Sequence, residues 1–129
     1  MQPAVIQTWH HIMETSDIGS IKDLLADEVV FHSPVVHTPQ AGKALTNAYL
    51  TAANHVLGAA NFKYTREVIS EQDAVLEFTA EIDGIQINGV DMIRWDKDNK
   101  IIDFKVMLRP LKAINMIHQL MGQQLSAQQ

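Results

Sequence analysis

Cysteine is absent from the 129 residues, which excludes a disulfide frame, a thiolate nucleophile and a cysteine-ligated zinc site. Basic residues are scarce: ten Lys and Arg against fifteen Asp and Glu leave a formal charge of −5. That balance argues against nucleic acid or an anionic membrane surface as partner, because both need a basic face. No apolar run approaches the roughly 20 residues that cross a bilayer. The opening stretch "MQPAVIQTWHHIMETSD" has no basic segment leading into an unbroken apolar run, so no secretory signal is expected. There is no "HExxH", no Gly-rich phosphate loop and no nucleophile elbow around a serine. Internal repeats and low-complexity linkers are missing too. The expectation is one soluble domain over residues 1–129, cytoplasmic, with no metal and no cofactor. An apolar fraction of 47% is enough to build its core.

The chain reads as a helical half followed by a strand half. Val5, Ile6, Trp9, Ile12 and Met13 recur at helical spacing on one face. "SDIGSIKDLL" predicts a second, short helix capped by Ser16 or Asp17, with Leu24 and Leu25 on its buried side and Asp27-Glu28 closing it. "VVFHSPVV" is a β-rich run stopped by Pro34, which cannot donate to a ladder. The loop "HTPQAG" leads to a third helix carrying Leu45, Ala48, Tyr49, Ala52, Val56 and Leu57, ended by Gly58. Strands are expected over 62–70, 74–82, 85–95 and 101–109. Pro110 suits the first position of a C-terminal helix, and the polar tail "QQLSAQQ" is expected to fray.

Two turns fix the register of the strand half. Asp83-Gly84 makes a two-residue hairpin, so Ile82 faces Ile85, Ala80 faces Ile87, Phe78 faces Gly89 and Leu76 faces Asp91. A second turn at Asp98-Asn99 sets Trp95 against Ile102, Ile93 against Phe104 and Asp91 against Val106. On the other face Arg94 then pairs with Asp103. Both counts place the Asp91 carboxylate on the apolar face, since a slip of one residue would expose the whole hydrophobic set. Two accounts of an inward Asp stay open: a functional acid, or a core residue satisfied by a bulge or helix end. Gly89 is a natural bulge position that would turn Asp91 toward solvent.

The stretches "SDIGSIKDLLADEVVFHSPV" and "GVDMIRWDKDNKIIDFKV", with the order helix–helix–strand–helix–sheet, resemble the nuclear transport factor 2-like superfamily and its SnoaL-like and ketosteroid isomerase-like group. The resemblance implies an α+β, cystatin-like fold: a curved, mostly antiparallel sheet wrapped around a cone-shaped pocket closed by helices. Such proteins commonly form dimers. The fold hosts isomerases, cyclases, dehydratases, hydrolases and non-catalytic binders, so it does not name a reaction. Residue by residue, Asp91 of "DMIRWD" occupies the place of the family's oxyanion-hole Asp. The general-base Asp that precedes a Pro in the isomerases corresponds to Ser33 in "HSP", and the oxyanion Tyr of the first helix to Trp9. A serine hydroxyl cannot take a proton from carbon without a partner, so steroid isomerisation by the family's mechanism is not expected.

His37 and His32 flank the Pro34 corner. His32 alternates away from Ser33, whereas His37 lies on a loop expected to rim the pocket and is the candidate base; a solvated loop histidine is the alternative. His10 and His11 diverge on their helix and form no metal pair. The expected catalytic residues are therefore Asp91, as a protonated donor to an oxyanion, and His37. Pocket walls are expected from Trp9, Met13, Phe31 and Ser33. Tyr49, Leu76, Ile93 and Val106 complete them. The expected ligand is a small apolar molecule bearing a carbonyl or hydroxyl, either turned over by acid–base chemistry or held without reaction. The outer sheet face, with Val75, Val90, Met92, Ile101 and Met107 among charges, is apolar enough to predict a homodimer.

Overall fold

The computed structural model describes residues 2–58 and 60–128. Six strands form one curved sheet in the order β2-β1-β6-β5-β4-β3. They are β1 (Leu25–His32), β2 (Gln40–Ala41), β3 (Lys63–Ile69), β4 (Asp73–Ile82), β5 (Ile85–Trp95) and β6 (Ile101–Arg109). Only the β1–β6 pairing is parallel. Helices α1 (Ala4–Thr15), α2 (Lys43–Leu57) and α3 (Leu111–Ala127) cover the inner face. The α+β, mostly antiparallel architecture expected from the sequence is the one observed.

The central hairpin follows its turn chemistry. Asp83 and Gly84 both take positive φ, as a tight primed turn demands, and β4 pairs with β5 without interruption from Asp73↔Arg94 to Ile82↔Ile85. Asp91 sits between Leu76 and Val106, as counted. Gly89 is not a bulge. A Cβ there would stand 2.6 Å from Phe78 Cζ and 2.6 Å from Leu108 Cδ2, so the glycine makes room for inner-face side chains from both neighbouring strands.

Several boundaries move. β1 begins at Leu25 rather than Val29, so Asp27 and Glu28 are exposed strand residues instead of a helix end. The second helix is a 3-10 segment, Ile18–Leu24, and Ser16 is the left-handed residue that ends α1. Gly58 follows α2 in a right-handed conformation; a Cβ there would meet the Asn54 carbonyl at 2.5 Å. Pro110 is the residue before α3, not its first turn, and α3 continues through Ala127 where fraying was expected. Gln129 lies outside the described residues.

At the far end of β5 a bulge shifts the register, pairing Trp95 with Ile101 and Arg94 with Asp103. Ile102 is the extra residue. Ile101 is therefore fully buried and Ile102 takes the outer position, the reverse of the expectation. Arg94 also reaches the strand on its other side, donating from Nε to Asp73 at 2.8 Å, while His32 Nε2 lies 2.9 Å from Asp103. No described helix is long and apolar enough to cross a membrane.

Candidate functional site

The site begins at an irregularity in β3. Register shifts between Tyr64 and Arg66, leaving Thr65 as the extra residue. Tyr64 thus faces Phe78 on the inner side while Arg66, two residues on, faces Glu77 on the outer side and donates to it at 3.0 Å. Without the bulge both would lie on one face. The Tyr64 hydroxyl donates to Asp91 Oδ2 at 2.6 Å, and Trp9 Nε1 donates to the same hydroxyl oxygen at 2.9 Å. Helix α1, strand β3 and strand β5 are tied together by this chain of two bonds.

Asp91 is 7% exposed, and among the described residues no Lys or Arg pairs with it. Burial pushes its pKa up to about 7; the hydrogen bond from Tyr64 opposes the shift but does not cancel it. Burial, and then the neighbouring Asp91 carboxylate, hold the Tyr64 phenol well above its ordinary range. Tyr64 therefore stays a neutral donor at any physiological pH. With Oδ2 occupied by Tyr64, the proton of a neutral Asp91 is free to sit on Oδ1, where it can be donated to a guest.

The guest space is a chamber of about 120 Å³ that Asp91 and Tyr64 line. Aromatic residues make only 6% of the chain, eight in all, yet Trp9, Phe62, Phe78 and Phe104 join Tyr64 on this one wall. Met13, Leu50 and Val106 add aliphatic surface, and exposed Ser16 with Asn54 marks the mouth between the ends of α1 and α2. A second chamber of about 130 Å³ lies under α3, lined by Phe31, Ser33, Tyr49 and Ile117 among others. Among the described residues no three His, Asp or Glu side chains converge as metal ligands.

The structure brings Asp91, Trp9, Met13 and Val106 together in the first chamber and Phe31, Ser33, Tyr49 and Val106 in the second. Leu76 and Ile93 flank Asp91 in the sheet but are buried in the core and line neither chamber. His37 is exposed and lines neither chamber. Ser33 Oγ accepts from the Val35 amide at 3.1 Å, a local turn contact. The indole N–H of Trp9 is committed to Tyr64 rather than to the chamber. Tyr64 itself went unnoticed in the sequence. Its signal was the two-residue spacing of Phe62 and Tyr64 at the start of the strand, with Tyr64 opposite Phe78.

A family model described as the SnoaL-like domain matches residues 6–104. No curated protein matches the chain. Among solved structures it is similar to a steroid delta-isomerase from Pseudomonas aeruginosa, at 33% identity over 96% of this chain and 90% of that one, with a TM-score of 0.91. A second similar structure is an uncharacterised, bacterially conserved protein with a cystatin-like fold from Silicibacter pomeroyi DSS-3. It is 27% identical over 92% of this chain and 83% of that one, with a TM-score of 0.85. A third, from Catenulispora acidiphila DSM 44928, is a hypothetical protein with a ketosteroid isomerase-like fold in complex with trimethylamine. At 11% identity over 82% and 85% of the two chains and a TM-score of 0.60, it shares the fold alone. A sheet, a pocket and a chain-long likeness thus agree: the chain belongs to the family of SnoaL-like domains.

Proposed function

We propose that this protein takes up a small, mostly apolar molecule through one oxygen, with protonated Asp91 as the hydrogen-bond donor and the aromatic wall as the rest of the site. The observation that carries the reading is the Trp9–Tyr64–Asp91 chain: it orients a carboxyl whose pKa is about 7, so that near neutral pH a large fraction holds the proton. A bound carbonyl oxygen accepts that proton's hydrogen bond. In the enzymatic form of this reading the bond strengthens as negative charge develops on the oxygen, which is how an oxyanion donor accelerates proton abstraction next to a carbonyl. The likeness to a steroid delta-isomerase supports that form. One observation favours the alternative, a binder without turnover: beside Asp91 and Tyr64 the described chamber has no titratable side chain to act as base. His37 takes no part in either form.

Cyclohexanone tests both forms, because its oxygen can only accept. Its affinity is expected to fall as pH rises through about 7, and to lose that pH dependence in Asp91→Asn. Affinity that stays flat, or climbs, over the same range contradicts the donor role. Exchange of the ketone's α-hydrogens with deuterated solvent, followed by NMR, separates enzyme from binder: protein-dependent exchange marks catalysis.

The outer sheet face supports a further proposal, a homodimer. Val68 is 66% exposed and Met107 49%, with Val75, Val90, Met92 and Ile102 half-buried between them. Charges of Arg66, Arg94 and Asp103 surround this surface. Light scattering is expected to give twice the mass of one chain at micromolar concentration; a strictly monomeric mass contradicts the proposal.

A further inference from the structure

The two chambers are neighbours that share three lining residues, Ala53, Leu57 and Val106. Val106 is the cross-strand partner of Asp91, so the partition stands directly beside the carboxyl. The chambers differ in kind. The first holds the buried acid and phenol; the second has Ser33, Tyr49 and His118 as its only polar side chains among fifteen described lining residues. Ser33 Oγ is already engaged by the Val35 amide, and His118 is exposed at the rim. None of these three side chains is buried as Asp91 is.

Gly122 adds an independent observation. It stands inside α3 and lines the second chamber, with open space where its Cβ would be. Glycine is the poorest residue for a helix interior apart from proline. Here neither a positive φ nor a close neighbour calls for it. Its effect is to leave the rim of the chamber bare.

We infer that the two chambers hold one ligand in two parts: an oxygen-bearing head against Asp91 and an unbranched apolar tail that passes Val106 and lies under α3. This rests on the reading of Asp91 as the head-group donor. A head that fills the first chamber has about six or seven non-hydrogen atoms, judged against a cavity of similar size that takes up benzene. A longer rigid skeleton would have to cross the partition, whereas a flexible chain needs only the width of one methylene. Ala53, whose side chain is a single methyl, is the smallest of the three shared residues. The ligand class is thus a cyclic or short-chain ketone or alcohol carrying an alkyl tail.

A series of 4-alkylcyclohexanones, from the parent ketone to the hexyl compound, tests this by calorimetry together with methionine-methyl NMR of the full chain. Met13 lines the first chamber and Met121 the second, so each reports on one compartment. The parent is expected to shift Met13 alone, and the hexyl compound both. Affinity should rise roughly two- to fourfold per methylene over the first several carbons, as for burial of apolar chain. Met121→Ala should weaken the hexyl ketone about fivefold or more and leave the parent ketone unchanged, because it removes contacts to the tail only. If the parent binds with the expected pH dependence but affinity does not grow with chain length, or Met121 stays silent, the two-part ligand is overturned and the head-group reading survives. If no member of the series binds, both are overturned.

Discussion

The two faces of the sheet treat their carboxylates in opposite ways. On the outer face Asp73 accepts from Arg94, Glu77 from Arg66 and Asn88, and Asp103 lies against His32. Hydrogen bonding from Asn88, with Arg66 beside it, holds Glu77 below the usual carboxylate range. Asp91 is one strand away on the inner face, and among the described residues the side chain bonded to it is a neutral phenol. Its pKa moves the other way, to about 7. Period-two alternation alone sends one acid to cations and water and another to an aromatic wall. The charge state of an acid in this fold is decided by the face on which its residue number falls.

The largest expected effect tests the inner face. Asp91 has a folded pKa of about 7 against roughly 3.9 when unfolded. Between those values the unfolded chain gives up the proton that the folded chain keeps, so stability falls as pH rises through the window and levels off above it. The loss is on the order of 4 kcal/mol across about three pH units. Asp91→Asn should keep the fold and remove this slope, as read from urea midpoints at several pH values. An unchanged slope would assign it to another group.

Tyr64→Phe is expected to act next. It takes the donor from Asp91 and the acceptor from the Trp9 indole at once, at a cost of about 1–3 kcal/mol. Because the Tyr64 bond opposes the upward shift, its loss should also raise the Asp91 pKa further. A lowered Asp91 pKa in this variant would show that Tyr64 is not the carboxyl's main partner. The smallest effect belongs to the outer face. Arg94→Ala breaks an exposed, solvent-screened pair and should leave stability nearly unchanged, the more so at high salt. A larger loss would mean that the outer face is covered, as in a dimer.

How much of this was legible depended on local chemistry. Asp83-Gly84 carries its turn in two residues, and from it the alternation of β4 and β5 sets Asp91 opposite Leu76, in a register that runs unbroken over ten pairs. What could not be read were the register shifts, two of which bear on the site and on the outer face. At Thr65 and at Ile102 one extra residue resets the phase, and no Gly or Pro marks either place. The first hid Tyr64, the partner that orients Asp91. The second exchanged Ile101 and Ile102 between faces. The start of β1 was lost for a related reason: Leu24 and Leu25 continue a helical pattern until tertiary pairing with β6 takes over. His37 is a candidate by its place on a loop expected to rim the pocket, and a place on a loop says nothing of side-chain direction.

The central claim is that about half of the Asp91 carboxyls keep their proton at neutral pH, and carboxyl-carbon NMR titration of the single Asp91 resonance, assigned by its loss in Asp91→Asn, tests it most directly. The account predicts a midpoint near 7, well separated from that of Glu77 on the outer face. A midpoint at or below the ordinary value of about 3.9 would mean a solvated or ion-paired carboxylate, and the pocket would have no acid to offer.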